Sequence, residues 1–339
     1  MSGRTERGRL ATTETSMHRF LVLATLALAV SACDSAAPES PGPQVVVSGF
    51  LEAGERLAEV RITRSVPLGA VYDSTAVVPD ARVEVHLLSA SGAAEATFPY
   101  EFNSRTGAYF PAARTAAPDA LSGRTYRLVA VALGDTVTAE TTVPAEIALV
   151  AAPPGEVVYQ ADPRGPQLRI TTSSVAGRQS VYIASTAALA ADEFVPFQDG
   201  GATRYRSQNL PGRFRPVPIV VLFAGCDEVG GGLVCDEDPG DAASGSSPII
   251  NESSYILPGD GTAIVNVPWL AFGFYGPAAI SLVALDDAFQ DFVETQTLQQ
   301  NPTTISPGEV PNVTTNVRGG LGVFGSFARV TTQTTVRER

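Results

Sequence analysis

The chain has 339 residues, 44% of them hydrophobic and 17% charged, which is enough apolar material for a sizeable core and excludes a disordered profile. All 23 basic residues are Arg, and 35 acidic residues bring the formal charge to −12, which excludes general binding to a nucleic-acid backbone. Two His and three Cys exclude most His-based metal sites and zinc ribbons.

The first informative segment is amino-terminal. Met17-His18-Arg19 gives a short positive region, Phe20 to Val30 an apolar run, and Val30-Ser31-Ala32-Cys33 a lipobox. The apolar run is too short to span a bilayer, so residues 1–32 read as a lipoprotein signal peptide, with Cys33 as the lipidated residue. Several acyl chains anchor durably, because each buried methylene contributes about 0.8 kcal/mol. Residues 1–16 are polar, and Met17 is an alternative start that leaves the same mature chain. Cleavage removes four Arg and two Glu, which takes the charge from −12 to −14. Residues 33–43 are rich in Pro, Ser and Ala and read as a tether.

From Val45 the chain alternates with period two. Val60 and Ile62 oppose Arg61 and Thr63; Val83, Val85 and Leu87 oppose Arg82, Glu84 and His86; Tyr126, Leu128 and Ala130 oppose Arg127, Val129 and Val131. Turn signals such as Ala53-Gly54, Ser91-Gly92, Ser122-Gly123 and Gly134-Asp135 separate them. Residues 44–146 therefore read as an immunoglobulin-like or prealbumin-like β-sandwich.

Pro144 to Gly155 reads as a boundary. Residues 156–336 read as a second, irregular β-sandwich, with strands near Leu168–Thr172, Ser180–Ala184, Val217–Phe223, Ala263–Val267, Ala279–Leu285 and Gly322–Thr332. The fold class expected is all-β, two β-sandwich domains in series, with one short helix near 286–298. Asp286 and Asp287 suit the start of that helix, and Phe289, Phe292, Val293 and Leu298 suit one face of it. Trp269 to Leu285 is uncharged, but Gly273, Gly276 and Pro277 divide it into two strands rather than a membrane span.

Candidate chemistry is sparse. With Cys33 used for lipid, Cys226 and Cys235 are the remaining pair and read as a disulfide closing a hairpin-like loop. They lack the Cys-x-x-Cys spacing of a redox or zinc motif. Asp236, Asp238 and Asp241 on that loop are weak calcium candidates, set against a solvated acidic loop; the spacing is not that of an EF-hand. His86 is the only His after cleavage, on the outward side of its strand, and no Gly-x-Ser-x-Gly elbow supplies a nucleophile for it. Trp269, Phe272, Phe274 and Tyr275 read as core before they read as a stacking surface. Arg204, Arg206, Arg213 and Arg215, around Tyr205 and Phe214, form a local basic patch set against a loop that balances nearby acids. Gly320, Gly322 and Gly325 fit a bent closing strand or a close backbone approach.

Several stretches resemble one family. They are Val45-Val46-Val47-Ser48-Gly49-Phe50-Leu51 after the lipobox, Val60 to Ser65, Val83-Glu84-Val85, Gly107-Ala108-Tyr109 and Gly123 to Leu128. The most specific part is the tail: a short helix, Pro302, Pro311, then Asn316-Val317-Arg318-Gly319-Gly320-Leu321-Gly322-Val323-Phe324-Gly325. Together they are similar to domain-of-unknown-function family 4249, lipoproteins of Bacteroidota-type outer membranes, over essentially the whole mature chain. The resemblance implies no established activity. It does imply a place beside TonB-dependent outer-membrane receptors. The Cys226 to Asp241 loop is longer and more acidic than the family leads one to expect.

The resulting expectation is a lipid-anchored cell-envelope protein, on the outer membrane, acting as a non-enzymatic binding or accessory module. It has no catalytic residues and no cofactor, and its partners are the membrane, through the lipid, and a TonB-dependent receptor. The alternatives are an extracellular polymer hydrolase and a structural surface adhesin.

Overall fold

The computed structural model describes residues 42–67, 73–113, 116–172, 181–300 and 313–339. The lipobox with Cys33, most of the tether, and Pro302 and Pro311 lie outside the described residues. The unit from Pro43 to Arg339 is all-β and sandwich-like.

The first half supplies β1 (Val45–Glu52), β2 (Val60–Arg64), β3 (Arg82–Leu88), β4 (Ala94–Asn103), β5 (Ala108–Pro111), β6 (Thr125–Ala132) and β7 (Asp135–Thr142). The second supplies β8 (Leu149–Ala151), β9 (Glu156–Val158), β10 (Gln167–Thr171), β11 (Tyr182–Ala188), β12 (Phe194–Asp199) and β13 (Ala202–Ser207). It continues with β14 (Asp227–Val229), β15 (Gly232–Cys235), β16 (Ser244–Ser246), β17 (Tyr255–Ile256), β18 (Thr262–Asn266), β19 (Gly276–Leu285) and β20 (Leu321–Arg337). Two α-helices are described, α1 (Pro218–Phe223) and α2 (Asp287–Gln300).

Period-two alternation becomes burial as expected. Along β6 the residues Tyr126, Leu128 and Ala130 are buried; along β3 so are Val83 and Val85. The alternation in β3 breaks at Leu87 and Leu88, where the register with β4 shifts and Leu88 turns inward.

One sheet runs through both halves, in the order β16-β11-β19-β20-β1-β2-β5-β4-β3-β6-β7, with β9 paired to the end of β20. The β7 edge returns to the segment before β20 through a Thr138–Arg318 bridge, so the first half curls around its core. Two smaller sheets complete the second half, β17-β18-β10-β8 and β12-β13-β15-β14. Each half has its own apolar core. Val47, Val60, Ile62, Val85 and Leu128 belong to the first; Leu168, Ile170, Tyr182, Phe272 and Ile280 belong to the second. The segment read as a boundary begins the second core: Ile147 is buried in it, and β8 pairs with β10.

β20 serves both halves. Its first part pairs parallel with β1, its second part antiparallel with β19. Phe324 lies in the first core, Ala328 and Val336 in the second. Parallel pairing needs close approach of two backbones. Gly322 allows it: a β-carbon there would lie 1.9 Å from the Val47 carbonyl oxygen, and its φ of +100° also favours glycine.

Two local expectations are corrected. Val217–Phe223 is not a strand but leads into α1, because Pro218 supplies the fixed φ of a first helical turn. Trp269–Tyr275 is not a strand either: a 3-10 turn spans Trp269–Ala271, and only β19 follows. The Gly273 carbonyl accepts the Val217 N–H, and a β-carbon on Gly273 would strike the Ala242 carbonyl, so this segment is a packed crossing point.

The helix near 286–298 is α2. Asp286 caps it by accepting the Phe289 N–H at 3.0 Å, and the ring of Phe289 packs on Phe50 at 4.6 Å. Among the described residues no helix is long and apolar enough to cross a membrane.

Candidate functional site

The site grows from a run of unusual composition, Arg213 to Asp241. α1 is a six-residue helix that buries none of its own side chains. Its last two residues, Leu222 and Phe223, are 72% and 75% exposed, which is rare for large apolar residues side by side. Gly225, at φ +60°, ends the helix, and the Cys226 N–H returns to the Val221 carbonyl.

The β14–β15 hairpin follows. Gly230 and Gly231 both have positive φ and form its two-residue turn between Val229 and Gly232, the conformation that matches strand twist. Cys226 and Cys235 flank this hairpin and form the expected disulfide. The Ala224 carbonyl accepts the N–H groups of Asp236 and Glu237, so hairpin and helix end are joined twice.

The four arginines do not form a bare basic patch. Arg204 donates to Asp236 at 2.9 Å and lies within 3.4 Å of Asp199. Arg213 pairs with Glu193 at 3.1 Å, and Arg215 pairs with Glu338. Arg206 lies over the Phe197 ring, 4.5 Å from its centroid. The reading as a loop that balances nearby acids is the one the geometry matches.

The acidic loop does not gather into a calcium cage. Asp236 is engaged by Arg204, Asp238 caps a short 3-10 turn by accepting the Gly240 N–H, and Asp241 lies in that turn. Among the described residues no three His, Cys, Asp or Glu side chains are grouped to hold a metal ion.

Two cavities meet here. The first, about 620 Å³, lies between α1 and the hairpin and is lined by Pro216, Val221, Leu222, Leu233, Glu228 and Asp227 among others. The second, about 710 Å³, lies beside the end of β20 and is lined by Asp192, Asn209, Arg213, Phe214, Arg337 and Glu338 among others. Arg215 and Tyr275 line both. Tyr275 is otherwise buried, against Tyr159 at 5.8 Å; burial first, then the nearby Glu338 carboxylate, pushes its phenol above the ordinary value. Both volumes suit a small-molecule or side-chain site.

Other sequence candidates fall into structural roles. His86 is half-buried in β3 with Nε2 3.2 Å from Glu84, far from both cavity linings in the chain. Trp269, Phe272 and Phe274 are core, and the Trp269 indole N–H donates to the Asp162 carbonyl. Gly320 and Gly325 are also closely packed, though less so than Gly322: a β-carbon would meet the Val45 carbonyl at 2.7 Å and Phe289 Cβ at 2.9 Å. Sequence reasoning named Arg213, Arg215, Phe214 and Tyr275, but not the cavities between them. Asp192, Asn209 and the β20 terminus join the wall only through tertiary folding, and no local signal announces them.

No curated protein matches the chain. Thirteen chains of solved structures do. One is the crystal structure of Salmonella alpha-2-macroglobulin reacted with methylamine, 14% identical, with a TM-score of 0.19, covering 87% of this chain and 15% of that one. Another is trypsin-activated alpha-2-macroglobulin from Escherichia coli, 10% identical, with a TM-score of 0.17, covering 86% of this chain and 15% of that one. The chain thus spans about 15% of the length of these proteins, and similarity at this level bears on neither site nor activity. The profile described as "Domain of unknown function (DUF4249)" matches residues 33–333, nearly the whole chain after the predicted signal peptide. The chain therefore belongs to the DUF4249 family.

Proposed function

We propose that this protein is a lipid-anchored, non-enzymatic binding or accessory module of the bacterial cell envelope, held at the outer membrane by acylated Cys33. The lipobox and the Pro-rich tether support the anchoring. The observation that carries the binding reading is the exposed Leu222–Phe223 pair at the first of two cavities that share Arg215 and Tyr275.

The tether enters at β1, and Val46 pairs with Leu321 at the start of β20. The cavity wall takes Thr335 to Glu338, at the other end of the same strand. At about 3.3 Å per residue, the strand between them runs roughly 50 Å along its contour. The cavity wall thus takes the part of β20 that pairs with β19, beyond the part that pairs with β1. The apolar pair with acidic Asp227 and Glu228 nearby suits an apolar protein surface bordered by basic side chains. The partner is a TonB-dependent outer-membrane receptor, as the family resemblance implies. In the second cavity Asp192 accepts from Ser207, and Glu338 pairs with Arg215; carboxylates engaged in this way support holding a ligand rather than turning it over.

Two experiments test the reading. Labelling with an alkyne fatty acid should mark the wild-type chain and not Cys33→Ala; an unlabelled wild type refutes anchoring. A photo-crosslinker at Leu222 in intact envelopes should capture an outer-membrane receptor, with loss of capture in Phe223→Asp. Capture of no receptor removes that partner.

A further inference from the structure

The second cavity has a wall of particular chemistry. Phe214 is held by its backbone: its N–H donates to the Ala190 carbonyl and its carbonyl accepts the Asp192 N–H. Its ring lies against Gly276, where a β-carbon would come within 2.3 Å of Cδ2, so any larger residue would displace it. Yet Phe214 remains 37% exposed and forms part of the cavity wall. An aromatic ring backed by glycine and open to a cavity is a preorganised stacking platform.

The polar groups around it are planar and of both kinds. Asp192 and Glu338 bring carboxylate acceptors; Arg213 and Arg337 bring guanidinium donors; Asn209 brings an amide that does both. Arg213 and Arg337 each meet a carboxylate, Glu193 and Glu156, through Nη2, and a guanidinium carries five N–H donors in all. Asp192 is fixed by the Ser207 hydroxyl and the Glu193 N–H. A ligand that satisfies this wall must donate and accept at several adjacent points and present an apolar face to Phe214. A phosphate only accepts, and would meet the Asp192 and Glu338 carboxylates. A hydrocarbon tail would leave the polar wall unpaired. A pyranose ring has one C–H face and a rim of vicinal hydroxyls, which bidentate planar side chains match.

We infer that the cavity between Phe214 and the end of β20 is a saccharide-binding site, with Phe214 as its stacking surface and Asp192, Asn209, Arg213 and Arg337 as its hydroxyl-directed groups. This deepens the binding reading above by naming a ligand class, and it occupies a different wall from Leu222.

The test is calorimetric titration of the full chain in detergent micelles with maltohexaose, cellohexaose, laminarihexaose, xylohexaose and mannohexaose, and with inorganic phosphate. At least one hexasaccharide should bind. Phe214→Leu keeps apolar bulk over Gly276 and removes the flat ring; it should weaken binding about tenfold. Arg337→Ala, at an exposed strand end, should weaken it severalfold. Leu222→Asp should leave it unchanged, so failure here and failure of the receptor contact are separable. Binding of no hexasaccharide, equal binding by the Phe214 and Arg337 variants, or binding of phosphate alone would overturn the assignment.

Discussion

The hydroxyl of Thr141 donates to the carboxylate of Asp286 at 2.6 Å, across 145 residues of sequence. Thr141 belongs to β7 in the first half; Asp286 stands at the start of α2 in the second. Ser326 of β20 completes the cluster. Its N–H donates to Asp286 at 2.9 Å, and its hydroxyl lies 2.6 Å from that of Thr141. Because Thr141 spends its proton on the carboxylate, the Ser326 hydroxyl donates to Thr141. All three residues are buried, and the cluster ties together β7, β20 and α2.

Thr141→Val should therefore destabilise the protein by about 1–3 kcal/mol, since it strips a donor from a buried carboxylate. Asp286→Asn should cost less than Asp286→Ala. Its amide can donate to Thr141, which can then donate to Ser326, and the carbonyl can still cap α2. Urea unfolding of the three variants checks the order.

The pH dependence has a defined sign. Burial raises the Asp286 carboxyl above its ordinary value of 3.8, against the lowering pull of the Ser326 N–H and the Thr141 hydroxyl. The folded protein thus binds this proton more tightly than the unfolded chain. The stabilising contribution is complete below 3.8 and drains away as pH rises through the raised folded value. The stability of wild type relative to Asp286→Asn should fall as pH is raised from the ordinary carboxylate range, then level off. A difference that grows with pH would show the opposite shift.

Gly322→Ala should be strongly destabilising, by about 2–4 kcal/mol. The added carbon meets the Val47 backbone, which no rotamer change can move, and the positive φ adds strain. Gly123→Ala, in open space at a turn, meets only the conformational cost and should lose about 1 kcal/mol. Thermal unfolding of the two separates contact from conformation.

Replacing both Cys226 and Cys235 by Ser should lower stability by roughly 2–3 kcal/mol at most, since the loop they close is short. The larger effect should be local. Amide exchange in β14, β15 and the end of α1 should quicken, while β1 and β6 keep their protection.

Leu222→Asp with Phe223→Asp should leave unfolding free energy within about 0.5 kcal/mol of wild type, because neither side chain belongs to a core. A loss of several kcal/mol would place these residues in an interface within the fold.

Much of this architecture is legible in the residues. Alternation marks β2, β3 and β6, paired glycines mark the β14–β15 turn, and Asp286 marks the start of α2. α1 misleads because Ile219, Val220 and Val221 favour strands, while the helical start rests on Pro218 alone. β4 escapes notice although Ala96, Phe98 and Tyr100 alternate with Glu95, Thr97 and Glu101, because its inward face is only half-buried before Tyr100 and Pro99 falls within it. The pairing of β1 with β20 has no local signature beyond Gly322, since its partners stand some 275 residues apart in the chain. The cavities are illegible for the same reason: Phe214, Asp192 and Arg337 meet only after those long-range pairings form.

The bond between first strand and last has a price in time. As the chain emerges amino end first, β1 appears early and finds β2, but its other edge stays open until Leu321 to Phe327 arrive. An unsatisfied strand edge exposed for that interval invites mispairing with neighbouring nascent chains. A chain lacking Leu321 to Arg337 would keep that edge open for good and would lose Phe324 from the first core and Ala328 and Val336 from the second, leaving neither half properly closed.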